Sequence, residues 1–207
     1  MSMAAHPTPI FTPEQYLELE EASETRNEYY QGQIYAMAGG SFRHAVIIGN
    51  VARHMGNALE KSPCTVMSSE VRVRVAEAGL YTYPDVIVVC GEPIFAKKTA
   101  KQNTDTLLNP TLVIEVLSPS TEAHDRGFKA AQYRSLESIQ EYALVSQTEA
   151  RVEVFSRQGN GWLLTEAAGL DAQCRFSSVD TTLALQDIYA KVTLNGGIVD
   201  ALEKTGI

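Results

Sequence analysis

The 207-residue chain has no long apolar run. Its most hydrophobic stretches, Val86–Cys90 and Leu112–Leu117, fall far short of the ~18 residues a membrane-spanning helix needs, so no membrane partner is expected. Met1–Pro13 carries neither a basic n-region nor an apolar h-region, which argues against a secretory signal and for a cytoplasmic setting. Cysteine is scarce: Cys64, Cys90 and Cys174 are odd in number and show no CxxC spacing. That excludes a disulfide framework and a zinc cluster, and Cys90, at the end of an apolar run, reads as a small core residue. Positive charge is also in short supply, with 17 Lys and Arg against 25 Asp and Glu and a formal charge of −8. This argues against a protein that coats nucleic acid non-specifically. Missing too are GxGxxG, GxxxxGK[ST], HExxH and GxSxG, so nucleotide-driven chemistry, zinc proteolysis and acyl transfer from a nucleophile elbow lack their signatures.

What is present is an ordinary globular balance, 44% hydrophobic and 20% charged, with no internal repeat and no linker. One domain over residues 1–207 is expected. The acidity is concentrated in the first 30 residues, where Glu14, Glu18, Glu20, Glu21, Glu24 and Glu28 face a single base, Arg26. The rest is close to neutral, which leaves room for a local basic groove. Thr12-Pro13-Glu14-Gln15 has the pattern of a capped helix start. Asn27–Ala36 reads as a hairpin turning at Gln31-Gly32. Ser41 is placed to cap a helix over 42–60, whose apolar residues Ile48, Val51, Ala52, Met55 and Leu59 recur at helical spacing. Val71, Val73 and Val75 alternate with Arg72 and Arg74, a strand with one wet face. Pro84–Cys90 and Thr111–Leu117 suit strands covered on both sides, with a polar loop at 92–109 between them. A helix is expected from Thr121 to Leu136, strands at Cys64–Met67, Glu141–Val145, Arg151–Arg157 and Gly161–Glu166, and a last helix at Leu183–Ala190. The fold class this implies is α/β (α+β), a mixed central sheet flanked by helices.

Glu115 is the most informative residue. It sits inside Leu-Val-Ile-Glu-Val-Leu, where an unpaired carboxylate would cost several kcal/mol or stay protonated. A metal, a cationic partner or an edge position would justify it; a half-exposed strand would make it ordinary. Asp85, after Pro84, falls at the mouth of the other apolar strand, where it is either a turn residue or a second carboxylate near Glu115. Two such hard oxygen donors suit Mg²⁺ or Mn²⁺. Asp125, Lys129 and Tyr133 share a helical face at i, i+4 and i+8, a spacing that equally describes an exposed ion pair. Glu28 is a third acid or a hairpin surface residue. Ser41, Arg43 and His44 lie where a helix N-terminus favours anions, although local packing explains a lone histidine as well. Arg72, Arg74, Lys97, Lys98 and Lys101 are candidate contacts to a nucleic-acid backbone.

The residues Arg26-x-Glu28, Gly32-x-Ile34-Tyr35, Met37-Ala38-Gly39, Ser41-x-x-His44, Pro84-Asp85-Val86, Ile114-Glu115-Val116-Leu117-Ser118-Pro119-Ser120-Thr121, Asp125-Arg126-Gly127-x-Lys129, Tyr133 and Glu141-Tyr142 resemble the Uma-two family of bacterial restriction-endonuclease-type proteins, within the PD-(D/E)xK nuclease superfamily. The resemblance covers about residues 11–166 and leaves 167–207 as a C-terminal extension. It implies a restriction-endonuclease-like core, metal-binding roles for Asp85 and Glu115, and Glu28 as a further acid. Leu117 stands where the general superfamily pattern has its lysine, and the resemblance implies that Lys129 takes over that role. Ser41, His44 and Tyr133 would touch substrate. The expected activity is metal-dependent hydrolysis of phosphodiester bonds, of DNA, by a homodimer. The competing expectation is an inactive nucleic-acid-binding or regulatory protein on a nuclease scaffold.

Overall fold

The computed structural model describes residues 10–37, 39–75, 79–98 and 102–194. Thr12 caps α1 (Pro13–Ala22) through the reciprocal bonds between Thr12 and Gln15 that the sequence announces. The hairpin β1 (Asn27–Tyr30) and β2 (Gln33–Ala36) follows. Its turn needs positive φ at Gln31 (43°) and Gly32 (90°), and a side chain at Gly32 would run into Ile10. Ser41 accepts a hydrogen bond from the His44 N–H and starts α2 (Phe42–Leu59).

The chain continues through β3 (Cys64–Ser68), β4 (Arg72–Val75), β5 (Leu80–Thr82), β6 (Val86–Cys90), β7 (Thr106–Leu107) and β8 (Leu112–Leu117). A helical run then comprises α3 (Glu122–His124), a π-helical turn (Asp125–Lys129) and α4 (Ala130–Ser135). After it come β9 (Glu141–Ser146), β10 (Arg151–Gln158), β11 (Gly161–Ala168), β12 (Gln173–Phe176), a 3₁₀ turn (Ser177–Val179), β13 (Thr181–Ala184) and α5 (Leu185–Ile188).

The strands form a six-stranded sheet ordered β11-β10-β9-β8-β6-β3, a five-stranded sheet ordered β2-β1-β5-β4-β7, and the β12-β13 hairpin. In the six-stranded sheet β8 and β9 are parallel, joined by the helical run, while β6 is antiparallel to β8. One face packs Val86, Val88, Ile114 and Val116 against α2, α5 and the β12-β13 hairpin. The opposite face packs Ile87, Val113 and Leu117 against Ala130 and Tyr133 of the helical run and Val73 and Leu80 of the smaller sheet. Buried on both faces, β6 and β8 have no need of alternation, which is why they read as continuous apolar runs.

The α/β (α+β) expectation of a mixed sheet flanked by helices agrees with this architecture, but several details differ. One expected sheet is divided into two larger ones, because β5 and β7 are too short to carry a periodic signal. The expected last helix from Leu183 begins at Leu185, Thr181–Ala184 being paired as a strand with β12. The expected wet face of β4 is not wet: Arg72 is buried and hydrogen-bonds Thr106 and Tyr83. The two cysteines expected to be unpaired, Cys64 and Cys90, form a disulfide. They are direct cross-strand partners on β3 and β6, a pairing that registry creates and spacing does not reveal.

Candidate active site

The register of β6 on β8 pairs Val86 with Ile114, which brings the residue before β6, Asp85, across from Glu115. The Asp85 N–H donates to Glu115 Oε2 (3.2 Å), and the Val116 N–H donates to Asp85 Oδ2 (2.7 Å). The two carboxyl groups are thus braced by each other's backbone. Alternation along β8 turns Glu115 toward the face that carries the helical run. There its Oε1 accepts hydrogen bonds from Lys129 Nζ (3.3 Å) and the Tyr133 hydroxyl (3.2 Å).

Lys129 is 7% exposed and lies among three acids. Its Nζ is 2.8 Å from Glu28 Oε1, 3.3 Å from Glu115 Oε1 and 3.6 Å from Asp125 Oδ1. The π-helical turn Asp125–Lys129 lets the Asp125 carbonyl take the Ala130 N–H and a hydrogen bond from the Tyr142 hydroxyl (3.1 Å). Both Asp125 and Lys129 are buried within it, and such turns recur at functional sites. Glu28 comes from β1, opposite Thr82 of β5, and accepts a hydrogen bond from the Thr82 hydroxyl.

At the start of α2, His44 Nε2 lies 2.9 Å from the Val116 carbonyl oxygen and 3.4 Å from Asp85 Oδ2. Ser41 Oγ donates to Gln147 Oε1 (3.0 Å), which ties the cap of α2 to the end of β9. Glu28, His44, Asp85, Glu115, Asp125 and Lys129 line a cavity of about 480 Å³ at the C-terminal end of β8, which the Ser118–Thr121 loop also borders. Ligands of open α/β sheets gather at that end of the strands.

Electrostatics follow from the crowding. Burial pushes the Glu115 carboxyl well above the usual carboxylate range; Lys129 opposes this, while Asp85, Asp125 and Glu28 add to it. Burial alone would lower the Lys129 ammonium, but Glu115, Glu28 and Asp125 together hold it well above an ordinary lysine. The His44 imidazole is raised by its hydrogen bond to Asp85, against burial. Four carboxyl groups therefore face one ammonium and one imidazole.

Among the described residues no three His, Cys, Asp or Glu side chains converge at metal-holding separations; the ammonium of Lys129 stands between the acids instead. The donor chemistry nevertheless fits a hard divalent cation. It is all carboxylate oxygen and in excess of the local positive charge, and Asp125 Oδ1 is buried without a hydrogen bond.

Of the residues singled out in the sequence, Glu28, Asp85, Glu115, Lys129, Ser41 and His44 meet at the cavity, Ser41 as the cap of α2. Tyr133, expected to touch substrate, is instead fully buried behind Glu115, to which its hydroxyl donates, and does not reach the cavity wall. The basic candidates do not join them. Arg72 is buried elsewhere, Arg74 lies over the Tyr81 ring, Lys98 pairs with Asp105, Lys97 is absent from the cavity wall, and Lys101 lies outside the described residues. Sequence reasoning gave no chemical role to Asp125, Thr82, His124 or Gln147. For Asp125 the i, i+4 spacing to Lys129 was a usable signal; Thr82 and Gln147 enter through tertiary contacts that no local pattern encodes.

Residues 13–187 match the model of the Uma2 family, described as "Putative restriction endonuclease". Two proteins of Synechocystis sp., both described as uncharacterized, are similar along nearly their whole length. The first, slr1290, is 36% identical over 192 residues, covering 90% of this chain and 97% of its own. The second, sll1609, is 35% identical over 176 residues, covering 84% and 97%. A crystal structure from Anabaena variabilis, described as a "putative nuclease belonging to DUF820", superposes with a TM-score of 0.71 at 19% identity, over 88% of this chain and 99% of that one. It shares the fold.

Proposed function

The chain belongs to the Uma2 family, and from that premise we propose that it is a metal-dependent nuclease that hydrolyses phosphodiester bonds of DNA. The observation that carries the reading is the convergence of Glu28, Glu115 and Asp125 on one buried lysine, Lys129, with Asp85 braced against Glu115 in the same open cavity. An excess of buried carboxylates is costly to a fold, and a substrate-bound cation is the function that rewards it.

In this reading Asp85 and Glu115 would hold Mg²⁺ or Mn²⁺, with Glu28 beside them as a further ligand or as the base for the attacking water. The cation, when bound, polarises the scissile phosphate and supplies a more acidic water. Lys129, held as a cation by its three acids, stabilises the negative charge that grows on the phosphoryl oxygens. Its strong basicity makes it a poor proton acceptor. As the base, Glu28, fixed by Thr82, would take the proton of the water whose oxygen bonds to phosphorus, while the ester P–O bond breaks and the leaving oxygen takes a proton from solvent. His44 holds Asp85 and the Val116 carbonyl in place. A homodimer would bring two such sites to the two strands of a duplex at once.

The test is cleavage of plasmid and single-stranded DNA with Mg²⁺, Mn²⁺ or EDTA, wild type beside Glu115→Gln and Lys129→Met, with circular dichroism to verify folding. Cation-dependent cleavage that both folded variants lose by at least about a hundredfold supports the reading. A folded wild type that cleaves nothing under any of these conditions overturns it in favour of an inactive binding protein on the same scaffold.

A further inference from the structure

The two most exposed Phe, Tyr or Trp side chains among the described residues are Phe42, 83% exposed, and Tyr35, 53% exposed. Leaving such rings in water forgoes burial of a large apolar surface, and both belong to the segments around the cavity. Tyr35, on β2, is itself part of the wall. Phe42 opens α2 between two wall residues, Ser41 and His44. A third exposed ring, His124, reaches the wall from the helical run and rests on Phe128 at 4.8 Å between centroids.

The cavity wall is poor in positive charge. Among the described wall residues Lys129 is the single Lys or Arg, and it is buried and occupied by Glu28, Glu115 and Asp125. Duplex binding draws its affinity from rows of Lys and Arg along two phosphate backbones, and no such row lines this site. Binding to an unpaired strand also uses positive charge, but it adds aromatic rings that stack with exposed bases, a contribution that paired bases cannot offer. A cavity of about 480 Å³ has the size of a small-ligand site, ~300–1,000 Å³, enough for one nucleotide with its phosphate.

Building on the nuclease reading above, we infer that the substrate is an unpaired DNA strand, with bases stacked on Tyr35 of the wall and on Phe42 at the adjoining start of α2 while one phosphate enters among the carboxylates. The acids then meet a single phosphate through a cation, and the neighbouring nucleotides are gripped by their bases, which carry no charge.

Fluorescence anisotropy tests this, using the full chain, a labelled single-stranded oligonucleotide and the same sequence as a blunt duplex, with Ca²⁺ in place of Mg²⁺. The single strand should bind at least about tenfold more tightly than the duplex. Tyr35→Ala and Phe42→Ala should each weaken single-strand binding by about 5-fold or more, the scale of a lost base–ring stack. Tyr35→Phe, which keeps the ring, should bind like wild type. Equal affinity for both forms, no detectable binding of the single strand, or alanine variants indistinguishable from wild type would overturn the inference. Those results leave cation-dependent cleavage of plasmid standing, so failure here is distinct from failure of the nuclease reading.

Discussion

Lys129 Nζ stands 2.8 Å from Glu28 Oε1, an ion pair that joins the first hairpin to the helical run after β8. Glu115 and Asp125 complete its surroundings. The ammonium occupies the centre of these three acids, and a divalent cation bound there would share their oxygens with it.

Lys129→Met should therefore be strongly destabilised without metal, by about 3–5 kcal/mol, because the buried Glu115 and Asp125 and the half-buried Glu28 lose their counter-charge. Millimolar Mn²⁺ should restore more of the melting temperature in this variant than it adds to wild type, since the cation takes the place of the lost charge. Thermal unfolding with and without Mn²⁺ measures both effects. An equal Mn²⁺ effect on the two proteins would show that Lys129 and the cation do not share ligands.

Arg157 closes the end of the helical run that carries Lys129. Its guanidinium donates to the carbonyls of Arg134, Leu136 and Ile139 at 2.8–3.1 Å and lies 4.5 Å from the centre of the Trp162 ring. Arg157→Ala should cost about 2–3 kcal/mol through lost carbonyl partners and lost stacking. Arg157→Lys should recover little of this, because an ammonium lacks the planar fork. Urea unfolding followed by fluorescence of Trp162, the chain's single tryptophan, reads the loss.

Glu141 is buried on β9. Its Oε1 accepts from Ser156 Oγ and the Ser177 N–H, and its Oε2 from the N–H and hydroxyl of Ser178. It pins the 3₁₀ turn, and with it the β12-β13 hairpin, to the main sheet. Glu141→Gln turns an amide N–H₂ toward one pair of these donors and should lower stability by about 2–4 kcal/mol. The urea midpoint of the variant checks this.

Burial, with Glu141 nearby, pushes the Cys174 thiol up to about 12. An unfolded cysteine ionises near ~8.5. Below that pH both states keep the proton. Above it the unfolded chain releases its proton while the folded chain holds on, so stability falls as pH rises from the unfolded value toward about 12. At about pH 10 the loss from this residue should be about 2 kcal/mol. Urea midpoints at neutral and alkaline pH should show a smaller alkaline loss in Cys174→Ala than in wild type.

Much of the site was legible because strand geometry is simple. Two apolar runs, each with one acid near an end, dictate a carboxylate pair once they lie side by side, and the antiparallel register of β6 on β8 puts Asp85 across from Glu115. The caps at Thr12 and Ser41 were legible because capping is local. The basic residues of β4 misled because their alternation is indistinguishable from that of a half-exposed strand, whereas Arg72 is buried among Thr106, Tyr83 and Tyr16. The π-helical turn at Asp125–Lys129 has the same i, i+4 spacing as an exposed ion pair, and only its packing under the Tyr142 hydroxyl and beside Glu115 separates the two. The Cys64–Cys90 pairing depends on the register of β3 on β6, which no spacing in the chain specifies.

Calorimetric titration of Mn²⁺ into the folded wild type and Asp85→Asn tests the central claim most directly, namely that Asp85 and Glu115, with the acids around Lys129 beside them, form a divalent-cation site. Saturable binding by wild type, weakened at least about tenfold by the loss of one carboxylate charge, is the predicted result. Wild type that takes up no Mn²⁺, or Asp85→Asn that binds it as tightly as wild type, would contradict the account.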